Sequence, residues 1–376
     1  RSTMRLLPIF AWLAVACLGV SVPGCGGVSD KPLPDEITDG TPSLPTLPPL
    51  GAAITAPAKT WTWVPFADAV CDDGTPTGIG ISLSPGSNDL LIFMQGGGAC
   101  WDYESCAVTN TSTHGPFAEA QFQSTKLLFS IGSILDRNAK TPFRDFNLVY
   151  VPYCTGDVHA GDTVMTYDSG MGKQRVIHHK GRPNLIAFLR RIAATIPTPG
   201  KLVVTGSSAG GFGSALNHDV VRAFFPKAKS YLLDDSGPPM IGDAIPKELR
   251  AKWFASWRLD LTLSKLCPEC DRDFSTLVPI LAKRYPSDRM ALLSYTQDGV
   301  IRKFFGDQSA MQFQQNLTAM STTLLDPLPN FRYYFAAGTG HTFLFTPALT
   351  TVKGVSLLSW ITQMGSDDPK WNSVTP

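Results

Sequence analysis

Apolar residues are spaced along this chain in two rhythms. Short continuous runs bounded by glycine or polar residues read as buried strands: Leu90 to Met94, Asn147 to Pro152, Leu202 to Thr205, Tyr231 to Leu233, Ala291 to Tyr295 and Phe331 to Phe335. Between them the spacing widens to the helical period. Leu185, Phe188, Leu189 and Ile192 share one face of a helix predicted over Asn184 to Ile196, and Phe212 to Phe225 predicts another. Strands alternating with helices predict an α/β fold, a mostly parallel central sheet covered by helices on both faces. Ile241 to Ser287 also has helical periodicity, with Trp253 and Trp257 one turn apart. This stretch is expected as a cap or insertion after the sixth strand, over the C-terminal edge of the sheet, with an ordinary packing helix as the alternative.

The first 59 residues do not share this pattern. Met4-Arg5 precedes an apolar stretch from Leu6 to Val22, followed by Pro23-Gly24-Cys25. A positive start and a short apolar core predict an export signal over residues 1–25, and the core is short for a membrane anchor. Cys25, directly after that core, is the expected acylation site of a bacterial cell-envelope lipoprotein. Residues 26–59 are rich in Pro, Gly, Ser and Thr, with Pro42, Pro45, Pro48 and Pro49 close together. Such a segment predicts an extended linker, with the folded domain spanning residues 60–376.

With 376 residues, 43% of them hydrophobic, the chain can bury the core of one large domain or two small ones. The net charge is +1, and Lys and Arg are scattered. That distribution argues against nucleic acid or an anionic membrane surface as partner and favours a neutral substrate. Six cysteines remain beyond the export segment. An even number in an exported chain predicts disulfides, and the spacing pairs Cys100 with Cys106 and Cys267 with Cys270, leaving Cys71 for Cys154. The competing reading of Cys267-Pro-Glu-Cys270 is half a zinc site or a redox pair, but no second CxxC or suitable His pair accompanies it.

The chemistry centres on Gly206-Ser207-Ser208-Ala209-Gly210, which lies between the run Leu202 to Thr205 and a predicted helix. This is the G-x-S-x-G pattern of a nucleophile elbow with Ser208 at its tip. A serine hydroxyl needs a neighbouring base, and a strand-to-helix turn exposes it to one. A Walker loop would end in Gly-Lys-Ser/Thr, whereas this turn ends Gly-Phe-Gly. His341, in a glycine-rich loop after the run Phe331 to Phe335, is placed to be that base. For the acid orienting the imidazole, Asp298 follows the preceding run; Asp234 and Asp235, after the run Tyr231 to Leu233, and Asp307 are alternatives. Gln95-Gly96-Gly97-Gly98-Ala99, after Leu90 to Met94, can present backbone N–H groups to an oxyanion. Gly97, Gly98 and Ala209 are the expected donors.

Taken together, Gly-Gly-Gly-Ala-Cys-Trp at 96–101, Pro-Tyr-Cys-Thr-Gly-Asp at 152–157, Gly-Ser-Ser-Ala-Gly-Gly at 206–211, Asp-Ser-Gly at 235–237 and Gly-His at 340–341 resemble the pectin acetylesterase/Notum family. The resemblance also takes in Ala69 to Pro76 and spans roughly Trp61 to Trp360. It implies an α/β-hydrolase-like serine carboxylesterase without metal or organic cofactor. It implies Ser208 as nucleophile, Asp298 as acid and His341 as base, and the same three disulfides. Gln95 stands where family members often have an acidic residue, Ala99 where they have an aromatic one, and Thr155 where many have aspartate. Acyl preference therefore does not carry over.

The expected function is an exported serine esterase that removes acetyl groups from a polysaccharide such as pectin. A short-chain or polyester hydrolase, a peptidase and a non-catalytic carbohydrate-binding lipoprotein are the rivals. Trp101 and Trp253 are expected as exposed aromatics lining a groove, and Asp235 as a residue of the floor beside the nucleophile.

Overall fold

The computed structural model describes residues 45–376. The export signal, Cys25 and the first part of the linker lie outside the described residues. Among the described residues, no helix is long and apolar enough to cross a membrane.

Eight strands form one sheet: β1 (Thr62–Val70), β2 (Pro76–Ser82), β3 (Leu90–Met94), β4 (Asn147–Val151), β7 (Lys201–Ser207), β8 (Lys229–Asp235), β9 (Arg289–Tyr295) and β10 (Phe331–Ala336). Their order across the sheet is β1-β2-β4-β3-β7-β8-β9-β10. β1 and β2 pair antiparallel with each other and β2 with β4, and the other neighbours are parallel. The inner strands are buried on both sides, which is why they read as unbroken apolar runs. From β3 the chain moves outward to β4 and then returns to the opposite flank as β7. The crevice beyond the C-terminal ends of β3 and β7 is therefore a topological switch point, where open α/β sheets bind ligands. The α/β-hydrolase-like architecture expected from the sequence is present.

Alternating side chains send Leu91, Phe93, Tyr231, Leu233 and Leu293 into a core on one face of the sheet. On the other face, Leu90, Ile92 and Val204 pack with Leu185, Phe188 and Ile192 of helix α1 (Gly181–Thr195). Leu232, Met290, Leu292 and Phe331 pack on that same face with the segment after β8, the sixth strand of the sheet in chain order. The predicted helix over Phe212 to Phe225 is two: α2 (Ala209–Leu216) and a second stretch, His218–Phe224. The break falls at Asn217, whose Nδ2 donates to the carbonyls of His159 and Gly213.

The insertion has two parts. Helix α3 (Lys247–Trp257) carries Trp253 and Trp257, stacked with ring centroids 5.8 Å apart. Helix α4 (Leu277–Arg284) buries Leu277, Val278 and Leu281 against the sheet face, so it is the packing helix of the β8-to-β9 crossover. All three expected disulfides are formed, Cys71–Cys154, Cys100–Cys106 and Cys267–Cys270. In the last, both CxxC sulfurs are bonded to each other and not open to zinc.

The packed chain begins ahead of residue 60. Arg190 donates to the Pro49 carbonyl and Arg191 to that of Ala52, while the Ile54 N–H donates to Thr195 Oγ1 on α1. Ile54 is buried. The latter part of the expected linker is therefore seated on the domain, because α1 supplies polar partners and a socket for one apolar side chain.

A hairpin, β5 (Thr163–Asp168) and β6 (Gln174–His179), packs Tyr167 and Ile177 on the Cys100–Cys106 bridge. His179 at its end is buried; its Nδ1–H donates to the Thr155 carbonyl and its Nε2 accepts from the Tyr167 hydroxyl. Burial lowers the His179 pKa from 6.5 to about 4. As pH falls below 6.5 the unfolded chain takes up this proton before the folded one. The stability His179 contributes is therefore complete above pH 6.5 and is lost towards pH 4. Asp157 acts in the opposite sense, since burial raises its pKa to about 6. The expected result is differential: His179→Gln should destabilise the fold less at pH 4.5 than at pH 7.5, by roughly 2–3 kcal/mol. Urea midpoints of both proteins at both pH values check this, and an equal loss at the two would contradict it.

Candidate active site

β7 ends at Ser207, and α2 begins at Ala209. Ser208 between them takes φ +60° and ψ −122°, a conformation that costs a non-glycine residue energy. The turn fits because its neighbours are small: a Cβ on Gly210 would overlap the Met94 carbonyl oxygen of the adjacent strand. The Ser208 N–H donates to the Asp235 carbonyl at 2.7 Å, tying the elbow to the end of β8.

Beyond β9, Asp298 is fully buried. Its Oδ1 accepts from the N–H groups of Val300 and Ile301, both at 2.9 Å. Its Oδ2 accepts from Nδ1 of His341 at 2.8 Å. The loop carrying His341 runs beside the loop carrying Asp298, with Gly299 N–H bonded to the Thr339 carbonyl. With Nδ1–H donated to Asp298, Nε2 is the ring nitrogen left to accept a hydrogen bond.

Asp235 does something else. Its carboxylate accepts from the Ser207 hydroxyl at 2.7 Å, from the Phe343 N–H at 2.9 Å and from the Leu344 N–H at 3.1 Å. The Ser236 hydroxyl accepts from the Thr342 N–H. One buried carboxylate therefore fastens the loop after His341 to the residue before Ser208. This replaces the expectations of Asp235 as floor residue or alternative acid, because its oxygens are taken up by main-chain donors. Asp307 is exposed and lies on a turn of positive φ.

The glycine loop after β3 lies across from the elbow. Gly98 has φ +75°, and a Cβ there would overlap the Thr111 carbonyl oxygen. The loop is held by Thr113 N–H to the Gly97 carbonyl and by Ala99 N–H to the Thr111 carbonyl. His159 Nε2–H donates to the Gln95 carbonyl at 2.8 Å. The N–H groups of Gly97, Gly98 and Ala209 have no hydrogen-bond partner among the described residues.

Ser208, Gly98 and Ala209 open onto a cavity of about 80 Å³ under α3 and α4. Phe212, Trp253, Trp257, Leu277, Val278 and Phe305 are among its walls; Ser208 and Asp234 are the side chains that bring oxygen atoms to it, and Trp253 Nε1 is buried without a hydrogen-bond partner among the described residues. Trp253 is thus a buried wall residue, not an exposed one. Trp101 packs edge-on against it, with centroids 5.6 Å apart, and stands behind the wall. Ala99 lines the cavity, and its small side chain leaves the space open. Three bonds hold α3 to the glycine loop's continuation: Trp257 Nε1–H to the Cys100 carbonyl, Ser256 hydroxyl to the Trp101 carbonyl and, at the surface, Lys252 Nζ to Asp102 Oδ2. The wall residues from α3 and α4 were legible only as helical periodicity, since nothing local tells which face meets a cavity. Among the described residues, Cys100, Cys106 and His179 are the one grouping with metal-ligand atoms close together, and both sulfurs are spent in a disulfide.

A pectinacetylesterase family model matches residues 58–257. That stretch holds the elbow and the glycine loop but neither Asp298 nor His341. The palmitoleoyl-protein carboxylesterase notum2 of Xenopus laevis is 29% identical over 161 residues, 43% of this chain and 32% of that protein. The inactive palmitoleoyl-protein carboxylesterase notum1b of Danio rerio is 30% identical over 105 residues, 28% of this chain and 74% of its own length. This chain spans about a third of the length of the first curated relatives it matches. The crystal structure of the Wnt deacylase Notum from Drosophila superposes with a TM-score of 0.60 at 18% identity, covering 83% of this chain and 94% of that one. The fold is thereby the same.

Proposed function

The chain belongs to the pectinacetylesterase family, and on that premise we propose that it is an exported serine carboxylesterase whose acyl group enters the cavity under α3 and α4. The observation that carries the reading is the bond from buried Asp298 to His341, whose loop Asp235 fastens to the turn presenting Ser208. His341 Nε2 takes the Ser208 proton as Oγ attacks the ester carbonyl carbon. The N–H groups of Gly97, Gly98 and Ala209 receive the oxyanion. Collapse of the tetrahedral intermediate breaks the ester C–O bond, and His341 returns its proton to the departing alcohol. Water then attacks the acyl-serine with the same base, and the carboxylic acid leaves. Asp298 keeps the ring in its productive tautomer throughout. Three disulfides suit an oxidising compartment and support export.

The cavity supports an aliphatic acyl group longer than acetyl. An acetyl group would leave most of its apolar wall without a partner, whereas each buried methylene contributes about 0.8 kcal/mol, roughly fourfold in kcat/KM. The names of the curated relatives point the same way, to a palmitoleoyl ester. The second reading, O-acetyl groups of a polysaccharide such as pectin, is favoured by the description of the family model. A series of p-nitrophenyl esters from acetate to dodecanoate separates the two. We expect kcat/KM to climb over the first several carbons. A maximum at acetate, together with acetate release from acetylated pectin, would establish the second reading instead.

A further inference from the structure

We propose that Asp234 is a specificity-determining residue of the acyl cavity, and that it selects acyl chains bearing a hydroxyl group, the hydroxyalkanoyl esters. The inference rests on the esterase reading above. Asp234 follows Leu232 on the face of β8 that looks under the insertion, and both line the cavity. Its side chain is 4% exposed. Oδ1 accepts from the Gly237 N–H at 2.8 Å, while Oδ2 has no hydrogen-bond partner among the described residues.

An apolar pocket for a plain alkyl chain gains nothing from such a group. A carboxyl oxygen left unpaired in an apolar wall opposes folding and repels a methylene placed against it, so leucine or alanine would serve better. An unpaired oxygen in the wall instead rewards the ligand that pairs it and disfavours the analogue that lacks the partner. Burial holds the Asp234 carboxyl well above the usual carboxylate range, with Asp235 beside it adding to the effect. Oδ2 can pair with a substrate hydroxyl in either protonation state, as acceptor when ionised and as O–H donor when protonated. Ester hydrolysis itself is unchanged, since the hydroxyl on the chain takes no part in the bonds made or broken.

The experiment compares kcat/KM for methyl hexanoate with its positional hydroxyhexanoate isomers, in wild type, Asp234→Leu and Asp234→Asn. Each variant is read as the ratio of hydroxylated to parent ester, so a general loss of activity cancels. The wild type should favour at least one isomer over the parent. That ratio should fall tenfold or more in Asp234→Leu, and stay within about threefold in Asp234→Asn, whose amide keeps an acceptor for Gly237 and a donor for the substrate. If every isomer is poorer than the parent in wild type, or if the ratio is the same in Asp234→Leu, the proposal is overturned while the esterase reading stands. If no ester is hydrolysed in a Ser208-dependent way, both fall. The wild-type ratio decides even where Asp234→Leu fails to fold.

Discussion

Ser208→Ala is expected to lower ester turnover by on the order of a million-fold while leaving the protein folded. The size follows from the division of labour at the elbow. Without Oγ no acyl-enzyme forms, and water would have to attack directly with only the N–H groups of Gly97, Gly98 and Ala209 to help. The fold should survive because the hydroxyl makes no hydrogen bond on which the turn depends. The strained φ of +60° is held by main-chain contacts, the Ser208 N–H to the Asp235 carbonyl and the Phe212 N–H to the Ser208 carbonyl. Alanine at that position keeps both. A melting temperature within a degree or two of wild type, beside a vanished rate for p-nitrophenyl hexanoate, is the expected pair of readings. Substantial remaining turnover would remove Ser208 from the chemistry.

The second large effect separates two carboxylates that the sequence leaves side by side as candidates. Asp298→Asn should lower kcat about ten-thousand-fold. Asparagine keeps an oxygen for the N–H groups of Val300 and Ile301, and so turns its NH2 towards His341 Nδ1. The imidazole must then accept at Nδ1 and carry its proton on Nε2, where it is no longer a base. Asp235→Asn should lower kcat far less and cost stability instead. With its oxygen at the Oδ2 position the amide keeps the Ser207, Phe343 and Leu344 donors, but its NH2 replaces Oδ1 and faces the Phe343 N–H, a buried donor-against-donor contact costing roughly 1–3 kcal/mol. Rates and melting temperatures for both variants check the contrast. The reverse order of rate losses would move the acid to Asp235.

How much of this was legible in the sequence depended on whether the signal was local. The inner strands β3, β4, β7, β8 and β9 and the edge strand β10 are largely buried on both faces, and each appears as a continuous apolar run. β1 and β2 did not show, because Pro65 interrupts the first, and Gly78 and Gly80 thin out the second. Gly80 is small because the Phe122 ring lies where its side chain would be, a contact between residues 42 apart that no window over the sequence contains. The hairpin β5–β6 was equally silent: exposed Val164 and Val176 mix with buried Tyr167 and Ile177 and blur the alternation.

The site divides along the same line. Ser208 and the glycine loop carry short motifs, and His341 stood out because few histidines follow the elbow. Position favoured Asp298, one strand before the histidine, but left Asp235 as an alternative, since each follows a sheet strand. Their difference lies in what surrounds them, a histidine ring for one and main-chain donors for the other. The acyl cavity was hidden most completely. Trp253 read as an exposed groove aromatic, Leu277 and Phe305 carried no signal of their own, and only the way α3 hangs from the Cys100–Trp101 carbonyls leaves space between them.

The measurement that bears most directly on the account is reaction with a fluorophosphonate, followed by mass mapping of the adduct. One adduct per chain is expected, on the peptide holding Ser208, absent from Ser208→Ala and formed far more slowly in His341→Ala. No adduct, or one on another residue in a protein that still cleaves esters, would contradict the assignment of Ser208 as the nucleophile.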